Sequence, residues 1–156
     1  MKIRAWRIVK EKYQGDAFTG EGARKYGGRW NSTGTPIVYA SESLSLATLE
    51  ILAGGISIPQ LGTYVKIPVD FDSSLVEYIK VIDLPDDWTS YPPGIQTQGI
   101  GDVWVKENRS ALLRVPSVVI MEEFNYLINP GHPDFKKVVV GKAERLSVDR
   151  RVVRGD

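Results

Sequence analysis

Between residues 3 and 9 apolar and polar side chains alternate, with Ile3, Ala5, Arg7 and Val9 on one face and Arg4, Trp6 and Ile8 on the other. That period of two predicts a strand, and it puts Arg7 on the same face as apolar residues. Residues 36–40 predict a short strand. Residues 61–70 predict a longer one, alternating through Leu61, Thr63, Val65, Ile67 and Val69. Residues 76–81 and 136–141 predict two more. From Ser43 to Leu52 no glycine or proline interrupts a run rich in Leu and Ala. A largely buried helix is expected there, capped by Ser41 or Ser43 and ended by Gly54-Gly55.

The remaining segments read as irregular. Residues 14–31 hold Gly15, Gly20, Gly22, Gly27 and Gly28 and predict an extended loop. Residues 83–101, rich in proline, glycine and tryptophan, predict a long loop leading into a helix over about 102–109. Apolar runs flank Pro116-Ser117, so an edge or a break between strands is expected there. Residues 125–133 read as turns. Strands outnumber helices and do not alternate regularly with them, so the class is α+β and not a doubly wound parallel sheet.

Composition narrows the functional classes. The 156 residues are 42% hydrophobic and 25% charged, as in an ordinary soluble domain, and neither repeats nor a linker divide them. One domain over residues 1–156 is expected, large enough to bury a core without staples. With no cysteine, disulfides, thiolate zinc sites and a cysteine nucleophile are excluded. Charges interrupt the first residues where a signal peptide needs an apolar run, and no window approaches a membrane span. A cytoplasmic protein that does not contact membrane is expected.

The net charge of +1 conceals an uneven distribution, with basic ends and an acidic middle. The basic residues are spaced along predicted strands and not clustered with aromatics, so direct contact with nucleic acid is only weakly indicated. A cleft for a phosphorylated small molecule needs far fewer charges.

Candidate chemistry is concentrated in three places. The single histidine, His132, lies between Gly131 and Pro133 and reads as a turn residue; one histidine cannot build a histidine metal site, and no metal is expected. In Gly27-Gly28-Arg29-Trp30-Asn31, two glycines allow backbone N–H groups to approach an anion, and Arg29 can fork onto phosphate oxygens. A plain glycine turn with a surface arginine fits the spacing equally well. Glu50 lies among Leu46, Ala47, Leu49, Ile51 and Leu52, where an ionised carboxylate is costly unless paired. Both a salt bridge to Arg7 and a functional carboxylate facing a cleft satisfy that condition.

Larger motifs carry a resemblance. The run Tyr26-Gly27-Gly28-Arg29-Trp30-Asn31, then residues 34–40 ending in Val38-Tyr39-Ala40, then Leu46-Ala47-Thr48-Leu49-Glu50, is similar to the first half of the RES domain. Gly101-Asp102-Val103-Trp104, Leu113-Arg114-Val115-Pro116-Ser117 and the segment from Asn125 to Pro133 resemble its second half. The match runs from Arg7 to about residue 148.

The resemblance implies a bacterial toxin that destroys NAD⁺ on a compact ADP-ribosyltransferase-like scaffold, with two small mixed or antiparallel sheets around a cleft. It implies Arg7 and Arg29 as NAD⁺-binding residues, Tyr39 shaping the ribose–nicotinamide site, Glu50 as the catalytic carboxylate, Ser117 as a polar or phosphate-binding group, and Asn125 beside it. For Tyr39, Tyr26 and Trp30 simple packing is the alternative reading. NAD⁺ is the implied substrate, with no metal or resident cofactor. The implied partner is an Xre-type helix-turn-helix antitoxin, in a homodimer or a larger toxin–antitoxin assembly.

Two enzymatic outcomes and one non-catalytic outcome stay open. Water or phosphate can accept the ribosyl carbon, a protein side chain can accept it, or the domain can bind nucleotides without reaction. Related transferases often carry an acidic residue two positions before the glutamate. Here that position is Thr48, which mildly favours NAD⁺ consumption.

Overall fold

The computed structural model describes residues 1–153. In chain order its elements are β1 (Lys2–Lys10), α1 (Glu21–Tyr26), β2 (Val38–Ser41), α2 (Leu44–Ala53), α3 (Ile58–Leu61), β3 (Tyr64–Asp72), β4 (Val76–Tyr78), α4 (Ile95–Lys106), β5 (Leu112–Pro116), β6 (Phe124–Ile128), β7 (Val139–Val140) and β8 (Glu144–Arg145), with short 3-10 turns between several of them. The class is α+β, as expected. No helix among the described residues is long and apolar enough to cross a membrane.

The strands join into one sheet in the order β4-β5-β6-β2-β1-β3-β7, with β8 also pairing β3. Within it are two well-bonded leaves. In one, β1 and β3 run antiparallel in unbroken register from Lys2↔Asp72 to Lys10↔Tyr64. In the other, β6 lies between β2 and β5, antiparallel to both. The leaves meet at a single paired position, Trp6↔Ser41. The expected two small sheets are thus connected by a narrow seam, and beyond that pair β1 and β2 part.

Packing explains which strands were easy to read. Ala5, Val38, Val69, Leu112 and Ile128 form a core on one side of the sheet, and Trp30, Ile37, Trp104, Leu113 and Leu127 form another beneath α4. Consecutive Leu112 and Leu113 are both buried because β5 is covered on both faces, which produces an apolar run instead of an alternation. β1 and α2 enclose a third cluster around Ile8, Ala47 and Tyr64.

Several expected elements differ. Residues 14–31 are no extended loop: a 3-10 turn over Glu11–Asp16 and the helix α1 occupy much of the segment. α4 begins seven residues before the expected start at Asp102, because Gly99 and Gly101 lie inside the helix instead of ending it. β3 begins at Tyr64, since Leu61 belongs to α3, where Ser57 and Gln60 form a capping box. Residues 125–128 are the strand β6 and not turns, while the apolar run after Pro116 forms no strand. The late strand shrinks to Val139–Val140 behind a 3-10 turn over Pro133–Lys137. His132 caps that turn, its Nδ1 accepting from the Asp134 N–H at 3.0 Å. α2 lies where expected, but only Leu46, Ala47 and Thr48 are fully buried.

Ion pairs on Asp70 tie the long antiparallel pair of β1 and β3, with Lys2 3.6 Å from its carboxylate and Arg4 closer. Arg4 donates to both carboxylate oxygens of Asp70, at 2.7 and 2.9 Å, and holds that carboxyl below its usual range. A carboxylate with a depressed folded pKa stabilises the fold above its unfolded pKa, and the contribution is lost as pH falls through the folded value. Asp70→Asn is expected to lower the melting temperature at neutral pH. The gap to the wild type should close in thermal melts as pH is lowered through the ordinary carboxylate range and below it.

Candidate active site

A cleft of about 680 Å³ opens where β1 and β2 part, lined by Arg7, Arg29, Tyr39, Glu50 and Asn125 among others. Five of the six residues singled out in the sequence therefore share one cavity wall. The sixth, Ser117, lies directly behind it.

Glu50 reaches the cleft from the last turns of α2. That helix starts cleanly because the Ser43 side chain accepts the Leu46 N–H, a cap of about 1 kcal/mol. One carboxylate oxygen, Oε1, accepts two hydrogen bonds of 2.7 Å, from Ser117 Oγ and Asn125 Nδ2. Asn125 is oriented in turn by Ser41, whose hydroxyl donates to Asn125 Oδ1 at 2.7 Å. The other oxygen, Oε2, has no hydrogen-bond partner among the described residues. A carboxylate fixed through one oxygen presents the other, in a set orientation, to whatever enters the cleft.

Ser117 is fully enclosed, and its oxygen also accepts the Val119 and Ile120 N–H groups at 3.0 and 3.1 Å. Of the two roles the resemblance implied, polar or phosphate-binding, the contacts suit the first: Ser117 holds Glu50 and has no exposed face for a phosphate. The salt bridge between Arg7 and Glu50 is not made either. Arg7 donates to the Ala17 and Tyr39 carbonyls, at 2.6 and 2.9 Å, bracing β1 against β2 just past the seam. It has no ion-pair partner among the described residues, and burial pulls its pKa down to about 10. A cation desolvated without a counter-charge is a receptor for an anion.

The glycine segment works differently from a phosphate cradle. The Gly27 and Gly28 N–H groups are already bonded, to the Ala23 and Asn31 carbonyls, and are not free for an anion. Gly28 is required instead because a Cβ there would lie 2.7 Å from the Tyr39 hydroxyl. That hydroxyl donates to Asn31 Oδ1 and accepts the Trp30 N–H, and burial raises its pKa, so it remains a donor. Arg29 anchors one nitrogen, Nη1, on the Trp88 and Ser90 carbonyls, at 2.9 and 2.7 Å. Its Nε and Nη2 make no hydrogen bond among the described residues. Burial lowers its pKa, and the nearby Glu50 carboxylate opposes that shift.

Other residues of the site were not foreseen. Asn31, wholly buried, donates to the Ala23, Ser32 and Thr35 carbonyls and so ties α1 to the turn that carries Arg29. Asp102 grips Ser32 through both its N–H and hydroxyl, and Gln98 donates to the Gly28 carbonyl at 3.1 Å. The only cue for Asn31 in the sequence was its place at the end of the glycine-arginine run. Trp30 is 2% exposed and stacks near Trp88, with ring centroids 6.2 Å apart, so it packs. Tyr26 stands outside the core. Thr48 bonds the Leu44 carbonyl inside α2. Two residues apart on a helix point to opposite sides, so the spacing comparison between Thr48 and Glu50 carries no information about the acceptor.

Comparison with known proteins identifies the family and the fold. The RES domain family model matches residues 4–149. The chain is 37% identical over 155 residues to the Prs ADP-ribosylating toxin of Sphingobium sp. (strain YBL2), covering 96% of each protein. It is 34% identical over 151 residues to Toxin Res of Photorhabdus laumondii, again covering 96% of each. Among solved structures, the M. tuberculosis MbcT-MbcA toxin-antitoxin complex contains a chain of the same fold, with a TM-score of 0.77 at 17% identity, covering 94% of this chain and 85% of that one. With a family match across nearly its whole length and relatives of full-length similarity, this chain belongs to the RES-domain family.

Proposed function

We propose that this chain is the toxin of a toxin–antitoxin pair and that it cleaves the nicotinamide–ribose bond of NAD⁺, with water or inorganic phosphate taking the ADP-ribosyl unit. The observation that carries the reading is Glu50, fixed through Oε1 by Ser117 and Asn125, with Oε2 open in a cleft that also holds two arginines. Departure of neutral nicotinamide leaves positive charge on the ribose, and a held carboxylate stabilises that charge and accepts from a ribose hydroxyl. Arg7 and Arg29 supply the positive charge that a pyrophosphate needs. Tyr39, its hydroxyl spent on Asn31, shapes the cleft wall. The reaction so drawn needs no resident metal or cofactor.

The test is to incubate the purified protein with NAD⁺, with and without phosphate, and to follow nicotinamide. Release dependent on phosphate identifies phosphorolysis, and release without it identifies hydrolysis. Binding with no nicotinamide would reduce the chain to a nucleotide-binding domain. Transfer to a protein is a second reading, favoured by the name of the Sphingobium relative. It is distinguished by adding purified Prs and looking for label from the adenylate half of NAD⁺ on that protein.

Ser117→Ala is expected to lower kcat about tenfold or more, because a hydrogen bond to a charged group is worth roughly 1.5–3 kcal/mol. KM for NAD⁺ should move little, since Ser117 has no face in the cleft. A change confined to KM in steady-state kinetics would instead make Ser117 a binding residue. The partner fitting this reading is an Xre-type antitoxin that covers the cleft and carries any DNA contact.

A further inference from the structure

We infer that the NAD⁺ site continues past Arg7 into a second cavity, and that this cavity is the seat of the adenylate half. The inference rests on the NAD⁺-cleaving reading above. The second cavity, about 770 Å³, shares Arg7, Asp16, Glu21 and Gly22 with the cleft, so the two adjoin across the Arg7 guanidinium. NAD⁺ is two nucleotides joined by a pyrophosphate. If the unpaired, desolvated Arg7 takes the pyrophosphate and Glu50 the nicotinamide ribose, the other nucleotide lies on the far side of Arg7.

The walls there suit it. Tyr13 and Tyr26 stand 54% and 77% exposed at the cavity, on the 3-10 turn after β1 and at the end of α1. A lysine ammonium lies over each ring, Lys12 at 4.9 Å and Lys25 at 5.4 Å from the centroid. Large rings held out in solvent beside basic side chains give a nucleotide base a stacking surface and its phosphate a favourable field. Lys10 adds charge to the same wall. Asp16 lines both cavities, where a carboxylate can accept from ribose hydroxyls. Tyr64, 5% exposed, lines the same cavity.

AMP is the probe. It is titrated into Glu50→Gln protein, with amide NMR shifts for location and calorimetry for affinity. Saturable binding is expected, with shifts concentrated in residues 10–26 and affinity weakened about tenfold by Tyr26→Ala, the scale of one lost base–aromatic stack. Tyr26 is exposed enough that its removal leaves the core intact, and Tyr13→Ala gives an independent second variant. No binding, shifts centred on Tyr39, Glu50 and Asn125, or affinity indifferent to both tyrosines would overturn the assignment. Nicotinamide release by the wild type is read separately. Release without AMP in the second cavity removes this inference and leaves the reaction standing. AMP bound there without release keeps the adenylate seat and removes the reaction.

Discussion

Glu50→Gln is expected to cut nicotinamide release by about 10²–10³-fold while leaving NAD⁺ binding within a few-fold of wild type, the loss typical of one removed transition-state contact. The substitution suits the geometry. A glutamine places its carbonyl where Oε1 now accepts from Ser117 and Asn125, so the enclosed network is kept. What changes is the other terminal atom, an acceptor carrying negative charge in the carboxylate and a neutral donor in the amide. An effect on kcat with retained binding, by calorimetry on the same preparation, identifies a group that acts mainly in the transition state. Turnover within tenfold of wild type would show that charge on the sugar is stabilised elsewhere. Loss of the folded signal would make Glu50 a structural residue.

Gly101→Ala is expected to be the most damaging single methyl in the molecule. A Cβ at that position would lie 1.8 Å from the Trp30 carbonyl oxygen and 3.1 Å from Ile37 Cδ1. Neither neighbour can yield cheaply, because Trp30 is buried against Trp88 and Ile37 is 1% exposed. Overpacking of this kind costs about 3 kcal/mol or more, which for a chain of this size lowers the melting temperature by roughly 6–12 °C. Arg29 immediately precedes Trp30, so the displaced backbone also carries an NAD⁺-binding candidate out of position. Gly99, two residues earlier in α4 with nothing within 4 Å of its Cβ position, is the control. Alanine there is expected to stabilise by about 0.5–1 kcal/mol. Similar melting temperatures for the two variants would mean that the approach of α4 to Trp30 is not tight.

These two glycines also show why part of the fold was illegible. Gly99 and Gly101 read as loop residues, because glycine disfavours helices. Gly101 sits in one because a backbone passes too close for any side chain, a tertiary fact with no local signature. β6 was hidden by its neighbours: Asn125 and the run Asn129-Pro130-Gly131 read as turns, yet Asn125 and Tyr126 face Ser41 and Ala40 in a strand ladder. β1 declared itself by alternation through Ile3, Ala5, Arg7 and Val9, although both of its faces are covered near its middle, at Ala5 on one side and Ile8 on the other. Within the site, Arg7 was legible as a charge on an apolar face and Glu50 as a charge in an apolar helix. The pairing between them, one of the readings left open, is not made, because each has neutral partners. Asn31, Asp102 and Ser41 were not legible as site residues because their work is to hold other residues, and for Asp102 and Ser41 those partners are distant in sequence.

The seam between β1 and β2 ties binding to mechanics. The two leaves share one backbone pairing, Trp6↔Ser41, and just beyond it the Arg7 guanidinium spans the gap to the Tyr39 carbonyl. The same side chain is thus a latch between two halves of the molecule and the group proposed to take the pyrophosphate. A ligand that takes hold of it grips both halves at once. By linkage, whatever loosens the latch weakens the ligand's hold to the same degree.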